Sequence, residues 1–160
     1  MMFAPGNRHT YLILTKRPER LMKWMRINYD PETMHRFAEE QPNIWLGVTA
    51  ENQVRADERI PILLSIPAAV HFVSAEPLLE RVDLCYSAFN GADSLQKMTG
   101  IDWVIAGPET GSGAREYKAE WIQDMADQCG PAGVPFFDKS KNFIRREWPE
   151  QSNKEAKCPQ

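Results

Sequence analysis

The chain has 160 residues, 42% hydrophobic and 26% charged, with a net charge of -3. That is room for one ordinary domain with a real core. No apolar run nears the roughly 20 residues of a membrane helix. The slightly acidic balance argues against bulk electrostatic binding of DNA or RNA, while leaving room for a local basic site. The first ten residues, MMFAPGNRHT, contain no apolar signal core, so a cytoplasmic protein is expected.

Five short apolar runs read as buried strands: Tyr11–Thr15, Ile44–Thr49, Val70–Ser74, Trp103–Ala106 and Val134–Phe137. Their near-continuous apolarity is that of parallel strands covered on both faces. Helical patterns alternate with them. One begins near Pro18 and carries Leu21, Trp24 and Met25 on one face. A second opens with Asp30 as N-cap and Pro31 at the first helical position. A third carries Val54, Ile60, Leu63 and Leu64, and the last, with Trp121, Ile122, Met125 and Cys129, closes at Gly130 and Pro131. Between Leu78 and Gly100 the pattern fades into a loop with one short helix near Ala92–Met98. Residues 1–144 thus form a β/α domain and 145–160 a polar tail. Strand starts fall about 33, 26, 33 and 31 residues apart. That matches the unit length of a (β/α)8 barrel, though a doubly wound sheet has similar units.

Each strand runs into a polar cluster: Thr15-Lys16-Arg17, Thr49-Ala50-Glu51-Asn52, Ser74-Ala75-Glu76-Pro77, Gly107–Gly113 and Asp138-Lys139-Ser140-Lys141. Parallel strands would bring these ends to one rim, where barrel enzymes keep their active sites. Glu76 and Glu109 are the candidate bases, Glu109 first because of its glycine-rich loop. That loop, with Gly111, Gly113 and Arg115, could turn backbone N–H groups and a guanidinium toward an anion. The same pattern also describes a plain strand-to-helix turn. Cys85, Cys129 and Cys158 stand far apart, with no local metal-binding set, and Cys129 reads as a small buried hydrophobe. His9, His35 and His71 have no ligand partner at helical spacing, and Trp24, Trp45, Trp103 and Trp121 read as core.

The runs LTKRPERL, NIWLGVTAENQVRADERIPILL, FVSAEPLL, IDWVIAGPETGSGAR and DQCGPAGVPFF resemble a radical-SAM-like phage and prophage family. Its members carry a three-cysteine motif near the N-terminus. The resemblance spans about residues 10–140 and implies a TIM-type barrel, with S-adenosylmethionine and a [4Fe-4S] cluster as cofactors of full-length relatives. Onto this chain it carries Lys16, Arg17, Glu51, Asn52, Glu76, Glu109 and Arg115 as rim residues. It does not carry the cluster, whose cysteines have no counterpart here, and Pro108 stands where relatives have a second glycine.

The fold expected is a partial TIM-type barrel of about five parallel units, unclosed as a lone chain. No metal or cofactor is expected on this chain alone. The functional expectation is the C-terminal portion of a radical-SAM-like protein, catalytically incomplete by itself. The alternatives are a module binding an anionic or phosphate-bearing ligand at the rim, and a non-radical TIM-type lyase or hydrolase. An N-terminal partner fragment or self-association is expected to cover the exposed edge at Tyr11–Thr15.

Overall fold

A computed structural model describes residues 9–85, 98–141 and 144–149. Five strands, β1 (Tyr11–Thr15), β2 (Ile44–Thr49), β3 (Val70–Ala75), β4 (Trp103–Ala106) and β5 (Phe136–Asp138), form one sheet in chain order. Every neighbouring pair is parallel, in registers such as Leu12 beside Trp45, Trp45 beside Val70, and Phe72 beside Trp103. β1 and β5 are the two edges, so the sheet is not closed.

Among the described residues, four helices lie between the strands in sequence: α1 (Pro18–Asn28), α2 (Pro31–Glu40), α3 (Gln53–Leu64) and α4 (Ala119–Ala132). α2 starts as its sequence dictates. The Asp30 carboxylate accepts hydrogen bonds from the backbone N–H groups of Glu32 and Thr33, both at 3.0 Å, a cap worth about 1 kcal/mol. Asn52 caps α3 in the same way through the Arg55 N–H.

Alternation along each strand sends its side chains to two different environments. Ile44, Leu46 and Val48 of β2, Val73 and Ala75 of β3, and Val104 and Ala106 of β4 face the helices. There they meet Met22, Met25, Phe37, Ile60, Leu63, Ile122 and Met125 in one core. The opposite face carries Trp45, Phe72, Trp103 and Ile105, with Val70 and Phe137 against them. The apolar runs read as strands covered on both faces. Both faces are indeed covered in the middle of the sheet, and the described helices pack on one of them. The second is covered by its own aromatic side chains and by Trp148, whose ring lies 4.7 Å from Trp103 and 5.4 Å from Phe137. Gly47 makes room on this face, because a Cβ there would stand 2.4 Å from the Phe72 ring.

Several boundaries move. β5 begins at Phe136 and reaches Asp138, two residues later than the apolar run, since Pro135 has no N–H to give to a ladder. α4 continues through Gly130 and Pro131 and ends at Gly133, whose φ of 67° makes the left-handed cap. Trp24 is not core: it is 49% exposed on the outer side of α1. The start of the expected polar tail packs onto the sheet. Asp138 N–H donates to the Arg145 carbonyl, Glu147 N–H to that of Phe136, and the Trp103 indole N–H to that of Glu147. The short helix expected near Ala92–Met98 lies, except for the buried Met98, outside the described residues.

Candidate functional site

β3, β4 and β5 end side by side, and the residue after β4 is Gly107. A Cβ at this position would lie 2.8 Å from Glu76 Oε1 and 3.1 Å from Lys139 Cβ. The bare backbone therefore lets the segments after β3 and β5 meet across the end of β4. Lys139 Nζ sits 3.1 Å from both Glu76 oxygens, and the Ser74 hydroxyl donates to Oε2 at 3.3 Å. Backbone bonds brace the arrangement. Leu78 N–H donates to the Gly107 carbonyl, Gly107 N–H to Ala75, and Lys139 N–H to Ala106. The Glu76–Pro77 peptide is cis. Above the ion pair opens a cleft of about 450 Å3, lined by Glu76, Pro77, Pro108, Glu109, Thr110 and Lys139.

Glu109 is held differently. Its Oε2 accepts from the Arg115 backbone N–H at 3.0 Å and from Nε–H at 2.7 Å, and its Oε1 accepts from Nη2–H at 2.9 Å. The side-chain hydrogen bonds and then the backbone one bring its carboxyl down to about 2. Such a group stays ionised and makes a poor base near neutral pH. The bonds close the loop through Gly111 and Gly113, whose φ values of 104° and 83° form its turn. The guanidinium expected to await an anion thus already holds a carboxylate from its own loop. Glu76, by contrast, lines the cleft with Lys139 against its carboxylate.

The remaining rim residues divide between pairing and scaffolding. Glu51 bridges two cations, Arg59 Nη1 at 2.8 Å and Lys16 Nζ at 3.6 Å. Burial on its own raises the Glu51 carboxyl, but a bond from its own backbone N–H and the charges of Arg59 and Lys16 leave it below the ordinary value. Neither Lys16 nor Glu51 lines the cleft around Glu76. The Arg17 backbone N–H donates to Thr15 Oγ1, and its side chain is exposed. Asn52 is occupied as a helix cap. Asp138 is fully buried and accepts from Ser140 N–H, Ser140 Oγ–H and Ile144 N–H, so it shapes the turn after β5. The cleft therefore gathers Glu76, Glu109 and Lys139, with Arg115 behind Glu109. Lys16 and Glu51 form a neighbouring pair.

Two contributors escaped the reading of the sequence. Gly107 matters for what it lacks, and its only signal is its place immediately after an apolar strand. Arg59 sits amid apolar residues of α3, yet it reaches the Thr49 carbonyl and Glu51. A larger hollow of about 570 Å3 lies at the opposite ends of β3–β5, between Val70, Asp102, Pro135, Arg145 and Trp148. Its carboxylates are engaged by backbone, Asp102 by His71 N–H and Glu147 by Phe136 N–H.

Fold and site together define an α/β protein with an open, all-parallel sheet and a charged cleft at its strand C-terminal ends. Among the described residues no helix is long and apolar enough to cross a membrane. The chain belongs to the family described as a protein of unknown function (DUF5131), whose model matches residues 1–158. No curated protein and no solved structure matches it.

Proposed function

We propose that the chain is the C-terminal part of a radical-SAM-like, TIM-type barrel protein of phage or prophage type, cytoplasmic, whose ligand site is the cleft around Glu76 and Lys139. The radical-SAM part of this reading rests on the sequence resemblance. One observation supports the barrel: strands in unbroken chain order, all parallel, with the described helices packed against one face. A doubly wound fold reverses its strand order at a switch point and has helices on both faces. A barrel does neither. Five units fall short of eight, so in this reading an N-terminal partner fragment or a second copy supplies the rest of the barrel.

S-adenosylmethionine and a [4Fe-4S] cluster belong to that complete enzyme and would supply its radical chemistry. The residues described in this chain do not fit the cluster. Burial pushes the Cys129 thiol up to about 12 and also raises Cys85. No three potential metal ligands converge among the described residues. The chain's own contribution is the cleft: Lys139 orients the Glu76 carboxylate, which can accept or return a proton, and Pro77 and Pro108 wall it. A rim devoted to anions is less well supported, because Lys16, Arg115 and Lys139 each already face a carboxylate. A non-radical lyase or hydrolase would use the same Glu76.

Co-expression with a fragment carrying the three-cysteine motif tests the proposal. The expected result is a stoichiometric complex that binds S-adenosylmethionine in calorimetry. Gly107→Ala, which displaces Glu76 from Lys139, should keep the complex and weaken binding of the enzyme's substrate. Absence of any complex would overturn the reading.

A further inference from the structure

The loop after β1 and helix α1 carry a charge opposite to that of the whole chain. From Lys16 to Arg26 there are five cations and one acid, Glu19, in a protein of net charge -3. Lys16 pairs with Glu51. Among the described residues, Arg17, Arg20, Lys23 and Arg26 enter none of the ion pairs, whereas Arg36, Arg55, Arg59, Arg81, Arg115, Lys139 and Arg145 each face a carboxylate. All four lone cations are exposed.

Their spacing fixes their arrangement. At about 100° and 1.5 Å per residue, steps of three advance about 4.5 Å along the axis while turning about 60° backward. Arg20, Lys23 and Arg26 therefore make a diagonal file along α1, with Arg20 and Lys23 on the side away from the buried Met22 and Met25, and Arg17 stands at the N-cap where the file begins. Two large apolar side chains flank it, Trp24 at 49% and Ile27 at 72% exposure. The Tyr29 ring meets Trp24 edge-on, 5.9 Å between centroids, and packs against the indole.

A line of unpaired cations beside an exposed indole is complementary to a flexible strand of anions that carries flat rings. We propose that the outer face of α1 binds single-stranded nucleic acid, with phosphates along the stripe and a base stacked on Trp24. A membrane surface would favour cations surrounding the apolar pair, rather than a single oblique file to one side of it. The proposal is independent of what the rim cleft binds, although the stripe starts at the rim, next to Lys16.

Fluorescence anisotropy of a labelled oligothymidylate titrated with the full chain provides the test. Four phosphate contacts predict a log–log salt slope of about -3 on a single strand. Arg20→Gln/Lys23→Gln/Arg26→Gln should bring the slope to about -1. Trp24→Ala should weaken binding by about tenfold and leave the slope unchanged. All these positions are exposed, and circular dichroism of the variants checks that the fold persists. Inorganic polyphosphate, which has no bases, should bind more weakly than the oligonucleotide and be indifferent to Trp24→Ala. Failure of the oligonucleotide to bind at about 50 mM salt, indifference to the triple substitution, or preferential binding to phosphatidylserine vesicles would each overturn the proposal.

Discussion

Replacing Gly47 by alanine is the sharpest probe of the packing that holds the sheet in shape. The new methyl would lie 2.4 Å from two Phe72 ring carbons and 2.6 Å from a third, against an ordinary carbon–carbon contact of about 3.5–4.0 Å. Phe72 is 2% exposed, and its ring is held about 6 Å from that of Trp103. It has little room to retreat. Overpacking a tight core costs up to about 3 kcal/mol. Losing a glycine from a strand returns about 0.5–1 kcal/mol through the unfolded chain. The net expectation is a loss of about 2 kcal/mol, which for a chain of this size lowers Tm by about 4–8 °C. Urea unfolding followed by tryptophan fluorescence measures it. Combining the substitution with Phe72→Leu should recover most of the loss, a coupling that a double-mutant cycle isolates. A loss under about 0.5 kcal/mol, or no recovery in the double variant, would refute the assigned contact.

Four further outcomes follow from the charged and sulfur groups. Glu51→Gln should cost about 2–3 kcal/mol in urea unfolding, because it leaves Arg59, with only 11% of its side chain exposed, short of a carboxylate; Glu76→Gln, whose partner Lys139 is half exposed, should cost under about 1 kcal/mol. Glu109 should titrate near 2 by carboxyl NMR and move up toward about 4 in Arg115→Gln; since its folded value is the lower one, its contribution to stability is complete above about 4.3 and disappears as pH falls toward 2. Cys129, buried and with its thiol pushed up to about 12, should resist a thiol reagent at pH 8 until the protein unfolds, as read by mass spectrometry of its peptide.

The sequence made the strands legible where apolarity and chain bonding coincide. β1, β2 and β4 have the expected bounds, Tyr11–Thr15, Ile44–Thr49 and Trp103–Ala106, because each is a short, nearly continuous apolar run. Asp138 was hidden from this logic: it ends β5 as a buried carboxylate satisfied by local N–H and O–H groups, which no apolar pattern announces. Pro131 reads as a stop, yet it lies in the last turn of α4, where the loss is confined to its own missing N–H and only Ala132 follows before the Gly133 cap. Trp24 was misplaced because it adjoins Met25 in sequence, while one residue around a helix is about 100° of rotation. At the rim, residue types were legible and pairings were not. Which cation meets Glu76, Glu109 or Glu51 depends on loop paths, and on a glycine whose importance is the volume it leaves empty.

The short pairing of residues 145–147 along β5 gives the molecule a polarity that the five strands alone would lack. A bare parallel sheet has two different edges that fit each other, so copies could join first strand to last strand without end, as a filament. Here the chain's own segment occupies the last strand's bonding groups through Asp138 N–H, Glu147 N–H and Phe136 N–H. That endless register is blocked. A chain that completes the barrel would pair with β1 directly and would reach β5 only by displacing residues 145–147.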